Sequence, residues 1–258
     1  MSDDLFSKAK GVAATARGNW MQKGLQLHKG LQTNRPPVEL AGAPGEEGSA
    51  APASEGPWGL DALRGRLVEL SARGPAATLT AAIELVVEAQ HTAEPVAWVT
   101  LGNATFFPPD AAASGVDLAA LAVVRVHDAT AAARAAERLL RSGGFGLVVI
   151  DFGGGSFAQQ GVQQGTQQGI EVPIAHQGRL ITLAQAHDAA VVCITEKPGE
   201  APSLGSLVSL RAEAVRLHAP EDKSGSERGY HVTLRALKDK RRGPGWTRTT
   251  KLRGPPGL

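Results

Sequence analysis

The chain of 258 residues has one cysteine, Cys193, so it can form no internal disulfide. Cys193 lies in the apolar run from Ala189 to Ile194, where a thiol behaves as a small buried hydrophobe. Aromatic residues are scarce, 4% of the chain with a single tyrosine, and no run of 18 or more apolar residues occurs. The missing run argues against a membrane-spanning helix. Residues 1–10 carry Asp3, Asp4, Lys8 and Lys10 with no apolar stretch behind them, which argues against a secretory leader. These absences predict a soluble cytoplasmic protein, with association to the nucleoid left open. His127, His176, His187 and His218 are scattered over different elements and no pair has the spacing of a metal-binding helix, so no metal site is expected. Gly153-Gly154-Gly155-Ser156 lacks the closing glycine of a nucleophile elbow, so hydrolase chemistry is unsupported.

What is present is enough apolar residue, 42%, to fill one core of ordinary size with appendages. In residues 1–35, Ser2 is a cap candidate, and Leu5, Ala9, Val12, Ala13 and Ala16 follow at helical spacing. A short amphipathic helix is predicted there. Residues 36–57 bring five prolines and four glycines without periodicity and read as a flexible linker. A helix this short cannot bury its own stripe, so it docks either on its own domain or on a partner.

From Trp58 to residue 218 apolar runs alternate with helical stretches, the pattern of βαβ units around a largely parallel buried sheet. Strands are predicted at 66–70, 96–101, 122–126, 147–150, 191–195 and 214–217, with helices at 78–90, 129–141 and 178–187 between them. Three Gln-Gln-Gly units between Gln159 and Gly169 read as a loop. Residues 219–258 hold two β-like runs, 230–237 and 246–252, joined by the turn Arg241-Arg242-Gly243-Pro244-Gly245, and are predicted to form a basic hairpin and tail. The fold class expected is α/β: a mostly parallel central sheet flanked by helices, with a C-terminal β-hairpin and an N-terminal helix on a linker.

The stretch from Leu60 to Leu70 resembles the entry to the ATP-binding strand of the RecA recombinase family, which implies a RecA-like fold. In that family a phosphate loop of the form G-x-x-x-x-G-K-S/T follows at once. Its backbone N–H groups cradle phosphate, its lysine meets the β and γ phosphates and its hydroxyl holds magnesium. This chain reads Ser71-Ala72-Arg73-Gly74-Pro75-Ala76-Ala77-Thr78-Leu79-Thr80, with no lysine, and Pro75 removes a backbone donor. Arg73 can meet an anion but replaces neither the cradle nor the hydroxyl. The catalytic glutamate that the family places after its next strand has no counterpart in Val99-Thr100-Leu101-Gly102-Asn103-Ala104. Asp151 ends the apolar strand Leu147-Val148-Val149-Ile150 and resembles the magnesium-holding aspartate. Without a lysine and hydroxyl beside it a metal has too few partners, and Asp151 reads as a relic. Arg73, Gly74, Pro75, Ala76, Ala77, Thr78 and Asp151 thus form a degenerate nucleotide site, and neither a cofactor nor catalysis is expected.

Glu94-Pro95-Val96-Ala97-Trp98-Val99, the Phe106-Phe107-Pro108-Pro109-Asp110 loop, Gly115-Val116-Asp117-Leu118, the run Val123 to Val126 and the helix after it are similar to the ImuA family of degenerate RecA relatives. The resemblance spans Trp58 to Gly254, with the Gln-rich insert as a departure. It implies an accessory factor of damage-induced mutagenesis in translesion synthesis. The partners it implies are RecA and ImuB, a polymerase-like protein. The SulA family of cell-division inhibitors, whose target is FtsZ, is another degenerate RecA branch and stands as the alternative. A weak ATPase borrowing a lysine from a neighbouring protomer is the third reading. By the same resemblance, the stripe of Leu5, Ala9, Val12, Ala13 and Ala16 is a candidate for self-association or docking on RecA.

The net charge of +2 hides a basic C-terminal end: from Lys223 onward there are ten Lys or Arg against Glu227 and Asp239. Lys238, Lys240, Arg241, Arg242, Trp246, Arg248, Lys251 and Arg253 are candidates for sequence-independent DNA contact, with phosphate attraction from the cations and stacking from the indole. A solvated tail and a packed tryptophan are the competing reading. No recognition helix is available for base readout. By resemblance the DNA-holding loops fall near 153–173 and 197–205, where Lys197 is the only basic residue.

Overall fold

The computed structural model describes residues 57–72, 77–102, 106–153, 172–218 and 229–253. The amphipathic stripe from Leu5 to Ala16, the linker up to residue 56, the loop residues Arg73, Gly74, Pro75 and Ala76, and the Gln-Gln-Gly repeats lie outside these residues.

A short helix, α1 (Leu60–Leu63), leads into β1 (Arg66–Ala72), which is followed by α2 (Thr78–His91), β2 (Val96–Leu101), α3 (Pro108–Ala113), a 3₁₀ turn at Leu118–Ala120 and β3 (Leu121–Val126). Next come α4 (Ala129–Arg141), β4 (Leu147–Asp151), α5 (Ile174–Ala186), β5 (Ala190–Glu196), β6 (Leu210–His218), β7 (Gly229–Asp239) and β8 (Thr247–Arg253). The eight strands form one sheet in the order β3-β2-β4-β5-β1-β6-β7-β8. Strands β1 to β6 run parallel, whereas β6–β7 and β7–β8 pair antiparallel. This is the mixed α/β class expected, and the C-terminal hairpin continues the sheet of the core across residues 218–229.

The inner strands form for the reason their composition suggests. Leu67 to Leu70, Leu147 to Ile150 and Val191 to Ile194 are almost continuously branched or apolar, and both of their faces are buried. On the first face Val68, Leu70, Trp98, Val149 and Val192 pack against Ala81, Ala82 and Leu85 of α2. On the second face Leu67, Val99, Ile150, Val191 and Cys193 pack against Ala133 and Leu140 of α4 and Leu180 and Ala184 of α5. Cys193 is buried, as its sequence context predicts. Each large aliphatic side chain so enclosed contributes on the order of 2 kcal/mol.

Helix α4 starts where Asp128 accepts a hydrogen bond from the Ala131 N–H at 2.7 Å and ends with Arg138 and Arg141 in its last turn, matching the helix dipole. Gly143 follows at φ +66, a left-handed position that suits glycine after a helix end.

Three sequence expectations need correction. The Pro-Pro-Asp segment expected as a loop is a helix, because Pro108 and Pro109 occupy first-turn positions that need no N–H donor. Helix α5 begins at Ile174 rather than Gly178, since an interior glycine weakens a helix without ending it. Strand β6 runs from Leu210 rather than Ala214, because Arg211, which breaks the apolar pattern, is buried by partners distant in sequence. Among the described residues no helix is long and apolar enough to cross a membrane.

Candidate functional site

The chain leaves β2 towards β3 and leaves β4 in the opposite direction towards β5, so the strand order reverses between β2 and β4. Open α/β sheets bind ligands at such a point, outside the carboxyl ends of the strands. Thr100 and Asp151 are register partners there, and Arg125 of β3 is in register with Thr100 on its other side. Asp151 Oδ1 accepts the Gly153 N–H at 2.9 Å, while Oδ2 is buried without a hydrogen-bond partner. Burial raises the Asp151 pKa from 3.8 to about 6, against the opposing pull of the Gly153 N–H, the Trp98 indole and the Thr100 hydroxyl. Neither side chain closes a well-formed bond to Oδ2: the Trp98 indole nitrogen is itself unpartnered, and Thr100 Oγ1 donates to the Leu101 carbonyl at 3.4 Å.

Of the other residues assigned to the degenerate site, Ala77 and Thr78 are buried at the start of α2, whose first turn has no side-chain cap and no acid. Ser71, at the end of β1, points away from that face and accepts Arg211 Nε at 3.1 Å. The described ends of β1, β2 and β4 therefore bring together one carboxyl group and no cation. Arg125, exposed and two strands from Asp151, or about 10 Å at ordinary strand spacing, is the nearest cation in that row. The sequence reading passed over it because β3 reads as a plain strand.

A second polar centre, which the sequence reading missed, lies inside the sheet. Glu69 of β1 is fully buried and accepts from Thr195 Oγ1 at 2.9 Å, Ser203 Oγ at 2.9 Å and the Leu204 N–H at 2.7 Å, with Lys197 Nζ at 2.5 Å. Arg211 reaches Glu69 at 4.0 Å and donates to the carbonyls of Ala201 and Pro198. Together they pin loop 197–209 to the central strand. Lys197, the sole basic residue expected in the DNA-holding loops, is consumed by this pair. An acid inside an otherwise apolar strand was the available signal, since a buried carboxylate demands partners.

The basic C-terminal candidates are dispersed over both faces. The first residue of β6, Leu210, pairs with the last of β7, Asp239, and an Arg241 Nη donates to the Arg64 carbonyl at 3.4 Å. The β7–β8 turn, with Gly243 and Gly245 at positive φ, thus sits at the amino edge of the sheet, opposite Asp151. Trp246 is buried and its indole donates to Asp239 Oδ2 at 3.1 Å, so it is not offered to a base. Asp239 also receives Arg66 at 2.6 Å and the Arg241 N–H at 2.9 Å. Burial alone would raise the Asp239 pKa, but these three donors outweigh it and hold the pKa below its ordinary value.

Arg248 donates to the Trp58 carbonyl on the first face. Lys238 and Lys240 lie near the Ser206 carbonyl, at 3.5 and 2.8 Å. Burial, then the neighbouring Lys240 ammonium, lowers the Lys238 pKa. Arg242 and Lys251 are exposed, and the Arg253 side chain lies outside the described residues. His176 is buried against Glu137, joining α5 to α4.

No protein-family model matches the chain, and no curated protein matches it.

Proposed function

We propose that this chain is a non-catalytic, RecA-like accessory factor of DNA damage-induced mutagenesis, of the ImuA kind, which works by binding partners. The partners are RecA, an ImuB-type polymerase-like protein, further copies of itself, and DNA. Support comes from the mostly parallel sheet with its C-terminal hairpin and from the resemblance of residues 94–142 to that family. The observation that carries the non-catalytic part is the composition of the carboxyl edge. Among the described residues, the ends of β1, β2 and β4 supply one carboxyl, Asp151, and no cation, and the β1 hydroxyl of Ser71 is committed to Arg211 on the other face.

A RecA-type ATP site carries out phosphoryl transfer with a loop lysine, a metal-holding hydroxyl and a water-positioning carboxylate together, and the sequence between Ser71 and Thr80 contains no lysine. Isothermal titration with ATP and magnesium should give no heat of binding; micromolar affinity would overturn this part. Affinity capture from DNA-damaged cells should retain RecA or the polymerase-like protein, whereas capture of FtsZ in their place would select the cell-division reading.

A further inference from the structure

The core on the first face of the sheet extends over β6 and β7, whereas the core on the second face does not. The core cluster on the second face draws on β1 to β5, α4, α5 and loop 197–209, and takes no residue from β6, β7 or β8. In these strands Ala212, Ala214, Val232 and Leu234 point to the first face and are packed there, with Leu252 against them and Arg248 donating to the Trp58 carbonyl. Their alternates point the other way. Arg235, Thr249 and Lys251 are exposed, and Thr233, His231 and Thr247 are half-buried.

Cross-strand pairing sets Arg235 beside Thr247, Thr233 beside Thr249 and His231 beside Lys251. The hydroxyls of Thr233 and Thr249 are 3.0 Å apart. Lys238 and Lys240 extend the cationic line towards the amino edge. The one carboxylate that β6 to β8 place on this face, among the described residues, is Glu213, paired with Arg235 at 2.7 Å.

We propose that the open part of this face, on β7 and β8 beyond the reach of loop 197–209, docks the phosphate backbone of duplex nucleic acid. The chemistry of the face selects that occupant. Lysine, arginine and threonine are the side chains that position phosphates. A protein partner would need buried aromatic or apolar anchors, and among the described residues the large apolar side chain that these strands expose is Leu217, at one end. Single-stranded nucleic acid would need a stacking platform, but Trp246 is buried and Tyr230 lies on the other face beneath Arg216. From His231 to Lys238 the strand covers about 24 Å, the rise of about seven base pairs. Contact of this kind is sequence-independent and sensitive to salt. The contact rests on the DNA-associated part of the function proposed above and is separable from its protein partners.

The test is fluorescence anisotropy of the full chain with a labelled duplex of random sequence across a salt series. Arg235→Gln with Lys251→Gln removes two cations from the face. Arg134→Gln with Arg141→Gln removes two exposed cations of α4 and leaves the same net charge. The face variant should bind at least tenfold more weakly, with a log K against log salt slope shallower by about 1.8, from about 0.9 per phosphate contact. The control should stay within twofold of the parent. Equal weakening of both variants, absence of duplex binding by the parent at low salt, or a preference for single strands over duplex would each overturn the proposal. Retained RecA capture alongside failed duplex binding would overturn this contact and leave the protein-partner reading standing.

Discussion

Replacing Asp151 with asparagine puts the carboxyl edge of the sheet to a quantitative test. Burial raises the Asp151 pKa from 3.8 to about 6, so the folded protein holds this proton more tightly than the unfolded chain does. Below about pH 3.8 both states are protonated and the group contributes its full relative stabilisation. As pH climbs through the interval to about 6 the unfolded chain ionises first, and that stability is lost. At about 1.4 kcal/mol per pH unit the interval amounts to roughly 3 kcal/mol at neutral pH.

Asparagine carries no charge and keeps Oδ1 as acceptor for the Gly153 N–H. Its amide hydrogens, placed where Oδ2 has no partner, give back about 1 to 2 kcal/mol. Asp151→Asn should therefore be about 1 to 2 kcal/mol more stable than the parent at pH 7.5, and the advantage should disappear towards pH 4. Urea denaturation followed by tryptophan fluorescence, at four pH values and constant ionic strength, measures both quantities. A variant less stable than the parent at pH 7.5, or one with the parent's slope between pH 4 and 6, would refute the reasoning. The carboxylate would then be ionised and well partnered in the folded protein.

Two further substitutions probe the buried networks. Glu69→Gln leaves Lys197 and Arg211 without their counter-charge and should cost about 3 to 5 kcal/mol in urea denaturation. Limited proteolysis should then cut within loop 197–209 faster than in the parent, and an unchanged digestion pattern would show that Glu69 does not hold the loop. Trp246→Phe removes the indole donor from Asp239 and should cost about 2 kcal/mol, with the loss greatest above the usual carboxylate pKa, where Asp239 is ionised. That direction follows because a depressed pKa stabilises the fold at higher pH and ceases to as acid protonates the group.

The sequence alone was sufficient for the α/β class and for most element positions. Continuous branched runs such as Val191-Val192-Cys193-Ile194 have no stable place except a sheet buried on both faces, and 3.6-residue periodicity marks α2 and α4 between them. The absence of a lysine between Ser71 and Thr80 is equally a fact of sequence. What tertiary structure alone decided is which distant residues share a neighbourhood. Glu69 and Arg211 are 142 positions apart in the chain and meet because β6 pairs with β1. The basic run from Lys238 to Arg253 reads as one patch, yet strand alternation sends Arg248 to one face and Lys251 to the other, and Asp239 draws Trp246 inside. Composition records how much charge an element carries; only strand pairing and the placement of the helices decide which of that charge faces water.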